Sequence, residues 1–174
     1  MAKHSLHTPL LIASITASSI LSGFLTTFSY VTIPGLLAVP DLPESTLLSI
    51  WKQLYYRGFH LSPPLAVFSG SCCFINAYIA SKYHSTNGTV SRLLLAGCLM
   101  VGILPYTGLI VAPGNRIMMR RWKELVDENG MAVGGESKER GLESRERVRR
   151  WGRLNYGRVV LPLAGAFMAW TTAW

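Results

Sequence analysis

The stretch Leu61-Ser-Pro-Pro-Leu-Ala-Val-Phe-Ser-Gly-Ser-Cys-Cys-Phe-Ile-Asn-Ala-Tyr-Ile-Ala-Ser81 contains no Asp, Glu, Lys or Arg. About 20 mainly apolar residues suffice to cross a bilayer as a helix. The same reading applies to three more stretches: Lys3 to Asp41, Arg92 to Arg116, and the chain after Arg158 are likewise free of charge between those residues. The last is short and spans only if its helix begins near Leu154. We therefore expect an all-α protein, a four-helix transmembrane bundle forming a single integral membrane domain over residues 1–174. Its spans are placed at about 9–31, 61–81, 92–112 and 154–174.

Composition agrees. Only 15% of the 174 residues are charged and 49% are hydrophobic, whereas a soluble domain carries about a quarter charged residues. The first apolar run is longer than the core of a cleavable signal peptide, which favours a retained helix. Its many Ser and Thr residues, Ser14, Ser18 and Ser22 among them, suit close helix packing in lipid. Cys72, Cys73 and Cys98 all fall inside proposed spans and lack the spacing of a disulfide framework or zinc site, so buried free thiols are expected.

Between the spans the punctuation is clear. Pro34, Pro40 and Pro43 are expected to end the first helix, with Asp41 as the N-cap of a short second one. That helix would run to about Arg57 and stop at Gly58. Leu47, Trp51, Tyr55 and Gly58 share one of its faces, so it reads as an amphipathic interfacial helix after the first span. A turn is expected at Asn87-Gly88. Pro105 predicts a kink within the third span, and Pro113-Gly-Asn115 its end.

Residues 116–153 form a basic loop before the last span, with eleven Lys or Arg against seven Asp or Glu. Anionic lipid is the expected partner of such a juxtamembrane segment rather than nucleic acid. Its first part, to Val126, has an apolar side (Met118, Trp122, Leu125), and its glycines (Gly130, Gly134, Gly135, Gly141) make the middle flexible. Glu143 with Arg147 and Glu146 with Arg150 support a helix leading into the last span. With four spans, one side holds Lys3, Lys82 and Arg92, and the other holds Lys52, Arg57 and the eleven loop cations. A multi-pass endomembrane protein with both termini away from the cytosol follows.

Polar groups at membrane depth point to a site. Arg158 opens the last span and shares a face with Trp151, Asn155 and Pro162; it either snorkels to the headgroups or turns inward to bind an anionic oxygen. Asn115 caps a helix or contacts a ligand. Tyr106 and Thr107 follow Pro105, where a kink frees backbone groups; packing is the alternative. His60, near a span mouth, has the pKa range of a general base, although an exposed lone histidine commonly has no role. Asn76 and Tyr78 lie within the second span and are placed to hydrogen-bond across helices. No Ser-His-Asp grouping, paired carboxylates, phosphate loop or metal-ligand cluster stands out.

Four segments in order, Trp51-Lys-Gln-Leu-Tyr55-Tyr-Arg-Gly58, Pro105-Tyr-Thr107, Pro113-Gly-Asn115-Arg and Trp151-Gly-Arg-Leu-Asn155-Tyr-Gly-Arg158, resemble the fungal anthrone oxygenases, small four-helix membrane proteins. With the spans, the resemblance covers nearly the whole chain. One departure is Gly114, where the family tends to have Thr. The resemblance implies a monooxygenase of aromatic polyketide biosynthesis that converts an anthrone to an anthraquinone with O₂, using neither metal nor flavin. The partners implied are the polyketide, O₂, membrane lipid and other enzymes of the pathway. On that footing His60 is expected to act as base, and Arg158, Asn115 and Asn155 to hold phenolate or peroxide oxygens. Trp51, Tyr55, Tyr106, Thr107 and Trp151 would contact the rings. A non-catalytic membrane scaffold is the competing reading, and dispersed rather than converging polar residues would favour it.

Overall fold

A computed structural model describes residues 7–83, 87–126 and 137–172. Every regular element among the described residues is helical, and the elements join into four arms. In the first, α1 (His7–Thr26) passes through a π-helical turn (Thr27–Thr32) into α2 (Ile33–Ala38). The second is α3 (Glu44–Lys82) alone. The third strings α4 (Asn87–Val101), α5 (Ile103–Tyr106), a π-helical turn (Thr107–Val111) and α6 (Ala112–Leu125) together. The fourth is α7 (Lys138–Trp170).

Three of these arms, Pro9–Ala38, Glu44–Lys82 and Asn87–Leu125, are long and apolar enough to cross a membrane. Among the described residues the fourth does not reach that hydropathy, because the first half of α7 is dense in charge.

Several boundaries differ from the sequence reading, each for a local reason. Pro34 does not end the first helix but sits in the first turn of α2, where its missing N–H costs nothing. The break falls at Val39–Pro43, and Asp41 takes a left-handed φ of 52° instead of capping a helix. Pro43 is the residue that precedes α3. Gly58 is not a stop. The expected interfacial helix and the second span are one 39-residue helix with Pro63 and Pro64 inside it, because Gly58 is buried under Phe28, whose ring would lie 3.4 Å from an added Cβ. Pro113-Gly-Asn115 does not end the third arm either, since Pro113 opens α6. The basic loop is accordingly helical over 116–125 and 138–153; Gly130, Gly134 and Gly135 lie outside the described residues. Around Pro105 the α-helical pattern changes: it is interrupted at Gly102, and a π turn follows from Thr107.

The arms alternate in direction. The Ser14 hydroxyl donates to the Ser69 carbonyl (2.8 Å), and those of Ser18 and Ser22 to the Pro162 and Val159 carbonyls (2.7 and 3.2 Å). Hence α1 runs antiparallel to α7, and, since Phe28 beyond its end meets Gly58, to α3 as well. Tyr106 meets Leu154 and Gly157 while Met100 meets Gly165, so the third arm also opposes α7. Such serine-to-carbonyl bonds and small-residue contacts are how helices adhere where lipid removes the hydrophobic drive. The outward faces are apolar: Ile12, Ile20, Phe68, Ile75, Leu94, Leu109 and Phe167 are exposed while Ser14, Ser18, Ser62 and Ser69 are buried.

At the end away from the termini, a buried ionic clamp joins three arms. The Glu44 carboxylate accepts from Arg121 Nε (2.9 Å) and Nη2 (2.8 Å) and from the Ser144 hydroxyl (2.6 Å). Glu44 lies outside the uncharged stretch of α3. Burial alone would raise its pKa, but the bonds from Arg121 and Ser144 outweigh it and hold the carboxyl below its ordinary value. Arg145 closes the same end by donating to the Leu37 and Val39 carbonyls (2.9 and 2.8 Å), satisfying the C-terminus of α2.

Candidate active site

Of the seventeen Lys and Arg residues, Arg158 is buried within the bundle, 6% exposed. It does not snorkel. Its Nη1 donates to Asn155 Oδ1 (2.9 Å), one turn earlier on α7, and its Nη2 reaches the Ser62 hydroxyl of α3 (3.3 Å). Its Nε has no partner. The Tyr106 and Tyr55 phenol groups lie close enough to act on it electrostatically. No salt bridge reaches it among the described residues.

The surroundings are aromatic. Trp51 is fully buried, stacks on Tyr55 (centroids 5.6 Å apart, 13° between planes) and meets Trp151 edge-on (6.3 Å, 85°). Trp151 is one turn before Asn155 and packs near Phe28 (6.5 Å). Tyr106 lies against Gly157, where an added Cβ would come within 2.3 Å of its oxygen, and its hydroxyl donates to the Leu154 carbonyl (2.9 Å). Only glycine at 157 lets the ring approach α7 so closely.

Hydrogen-bond accounting gives this group its chemical character. The Nε1 atoms of Trp51 and Trp151, Asn155 Nδ2 and Arg158 Nε are buried donors with no partner, and Asn115 Oδ1 is a buried acceptor with none. Buried polar groups are nearly always paired, so unpaired ones ask for an explanation. A buried arginine that lacks a carboxylate and keeps its Nε free, beside the free Nδ2 of Asn155, suits an oxygen carrying negative charge.

Asn115 lies on α6, beside this core. It lines a cleft of about 510 Å³ with Tyr55, Ala112, Arg116, Met119, Arg120 and Lys123. Tyr55 belongs to both cleft and core. A smaller cavity of about 190 Å³ on the other side of α6 is lined by Trp151, Leu154, Gly114 and Val111 among others. Thr107, by contrast, spends its hydroxyl on the Ile103 carbonyl (2.7 Å) within its own helix.

The structure therefore brings Arg158, Asn155, Trp51, Trp151, Tyr55 and Tyr106 together, with Asn115 adjoining through Tyr55. It does not bring His60. That residue is exposed, touches Phe59, and stands two positions from both Gly58 and Ser62, hence on the opposite side of α3 from the face that meets Arg158. Asn76 is fully buried with both amide atoms unpaired, and Tyr78 is exposed. Ser62 was missed from sequence because a helix stop at Gly58 hides its i, i+7 relation to Tyr55. No group of three or more His, Cys, Asp or Glu residues able to hold a metal occurs among the described residues.

Alternating helical arms with apolar outer faces, and a buried aromatic and arginine group inside, define a small membrane-type helical bundle with an internal polar site. The chain belongs to the anthrone oxygenase family, whose profile matches residues 51–168, from Trp51 through Arg158 and beyond. It is 30% identical to the anthrone oxygenase encC of Aspergillus fumigatus over 90% of this chain and 88% of that protein. It is 29% identical to an anthrone oxygenase of Claviceps purpurea, over 92% and 86%. The noranthrone monooxygenase of Aspergillus flavus is 24% identical over 89% of this chain and 69% of its own length. No solved structure matches the chain.

Proposed function

We propose that this protein oxidises a polyketide anthrone to the anthraquinone with O₂, using the donor group around Arg158. The observation that carries the reading is that group itself: a buried arginine with no carboxylate and a free Nε, beside an Asn155 whose Nδ2 is also free, next to Tyr55 and the tryptophan pair that it stacks on. The names of its relatives supply the substrate class.

The chemistry follows from the substrate. Removing a C10 proton from an anthrone leaves an anion whose charge rests on the C9 oxygen, because the central ring becomes aromatic. Donors aimed at that oxygen stabilise the anion in a water-poor site and so acidify the C–H. The anion passes one electron to O₂, the resulting radical and superoxide combine at C10 to a peroxide anion, and this regains a proton to become the hydroperoxide. Loss of water then forms the C10 carbonyl. One oxygen atom ends in the quinone and the other in water, so the balance closes on anthrone plus O₂. Arg158 with Asn155 would hold the C9 oxygen, Trp51, Tyr55, Tyr106 and Trp151 would flank the rings, and Asn115 would receive a phenol hydroxyl. The carbanion itself reduces O₂, so the scheme calls on neither metal nor flavin. His60, on the outer side of α3, has no part in this assignment; the proton leaves to water or buffer.

The bundle is read as multi-pass, with α7 completing a fourth crossing from about Leu154. The cation-rich end, which holds Lys52, Arg57 and the basic stretch, faces the cytosol and anionic lipid. An apolar exterior suits a flat substrate that partitions into the bilayer.

The test is turnover of emodin anthrone by membranes containing the protein, with and without O₂, with a chelator, and with ¹⁸O₂. Oxygen-dependent quinone formation above the spontaneous rate, insensitive to chelator and carrying one ¹⁸O, supports the proposal. A rate equal to that of empty membranes removes it and leaves the scaffold reading.

A further inference from the structure

The cleft between α3 and α6 differs in kind from the buried group it adjoins. Its lining holds three cations, Arg116, Arg120 and Lys123, one aromatic ring, Tyr55, and no carboxylate. None of the three cations forms a salt bridge with a described residue. They do not merely continue the general basicity of this end. Arg121, Arg147, Arg149 and Arg153 on neighbouring turns are each matched to an acid: Glu44 and Glu124, Glu143, and Glu146 for the last two. Lys52 rests over the Trp122 ring at 3.2 Å. Arg140 and Arg150 of α7 are likewise without a salt bridge among the described residues, but Arg116, Arg120 and Lys123 lie on one face of α6, about one turn apart, and line the cleft together.

Asn115 also lines the cleft and is 6% exposed; its side-chain oxygen is turned inward and has no partner among the described residues. The volume, about 510 Å³, lies within the range of small-molecule sites. Tyr55, stacked on Trp51, closes the inner wall, so a ring seated in the cleft leads directly to the aromatic core.

We propose that this cleft is a substrate-recognition subsite for an anionic substituent, and that the preferred substrate is a hydroxylated aromatic bearing a carboxylate. Arg116, Arg120 and Lys123 pair with the carboxylate, and Tyr55 and Asn115 flank the ring that bears it. The geometry also sets the order of the rings: the acidic ring lies outward between α3 and α6, and the reacting carbon inward toward Arg158. This rests on the oxidation proposed above for its reaction but not for its binding, and the two are separable by experiment.

Binding is read first, without turnover. The purified protein in neutral detergent is titrated with anthraquinone-2-carboxylate and with 2-methylanthraquinone, following quenching of tryptophan fluorescence. The carboxylate is expected to bind about tenfold more tightly, the equivalent of one charge-assisted pair. In the Arg116→Gln/Arg120→Gln protein that ratio should fall to near one, and in Arg116→Lys/Arg120→Lys it should largely return. Arg153→Gln, which removes an exposed ion-paired cation, should keep the ratio of the parent. Equal binding of the two probes by the parent protein, or a ratio that the double Gln variant does not change, overturns the proposal. The same follows if vesicles of anionic phospholipid abolish the difference at lipid concentrations where neutral vesicles do not, since a lipid headgroup then holds the cleft. Turnover of a carboxylated anthrone against its decarboxylated counterpart is measured in parallel. Selective binding without oxidation of either would count against the proposed reaction and leave the subsite standing.

Discussion

At residue scale, Arg158 carries the greatest consequence. Its guanidinium is held by Asn155 and Ser62, so its direction is fixed before substrate arrives. Arg158→Ala is expected to lower kcat by about 10²–10³, the loss typical of removing a preorganised oxyanion donor; membrane-based quinone assays measure it. Arg158→Lys should recover little, because a point charge cannot keep both bonds and still offer Nε. His60→Gln is expected to retain turnover within about threefold, far from the 10²–10⁴ that general-base loss entails. A collapse of activity in that variant would return His60 to the mechanism. Gly157→Ala drives a methyl into Tyr106 and should destabilise by about 1–3 kcal/mol, visible as a lower melting temperature in detergent. Much of this group was legible in the sequence, because a charge and an Asn on one face of an apolar helix are costly unless used. The side of α3 on which His60 lies was not, since it depends on whether the helix stops at Gly58.

Among the elements, the joints matter more than the helices. The clamp of Glu44, Arg121 and Ser144 ties the start of α3 to α6 and α7. Glu44→Gln is expected to cost about 2–3 kcal/mol, as for loss of hydrogen bonds to a charged group, again read as a melting temperature. The sign of the pH dependence follows from the carboxyl being held below its ordinary value. The clamp's contribution is complete above the unfolded-state value near 4.5 and disappears as pH falls through the lower folded-state value. Acid should thus destabilise the parent protein more steeply than the Gln variant, and detergent melts between neutral and strongly acidic pH would reveal it. Nothing in sequence spacing announced this clamp. Its partners are 77 and 100 residues apart, and the reading of Pro43 and Asp41 as a simple helix start gave Glu44 no task. The i, i+4 pair of Glu143 with Arg147 was legible and is present, whereas Glu146 pairs with Arg149 and Arg153 in place of Arg150.

For the whole molecule, alternation of the arms brings His7, Tyr83, Asn87 and Trp170 to one end and Val39–Pro43, Leu125 and Lys138 to the other. If α7 crosses the bilayer, a tag after Trp174 and a cysteine at Ser137 must label from opposite sides. Labelling of both from one side would confine the crossings to the three arms whose hydropathy suffices. The all-helical architecture was legible because four uncharged stretches cannot leave backbone groups unpaired in lipid. The number of crossings was less so, since α7 joins a charged half to an apolar half within one helix. Proline positions misled in the opposite direction: Pro34 and Pro113, expected at helix ends, instead open α2 and α6, where a first-turn proline gives up no hydrogen bond.

The two π-helical turns, Thr27–Thr32 and Thr107–Val111, each amount to one surplus amino acid threaded into an otherwise α-helical arm. Length and rotation are therefore coupled in this chain. Deleting a single residue from the second turn would leave a sound helix, but it would swing everything downstream by about 100°. Asn115 would then abandon Tyr55 for another neighbour, and Glu44 would lose Arg121. Divergence within such a family can proceed by counting as well as by substitution: a relative one residue shorter at this turn presents a different row of side chains to the same interior.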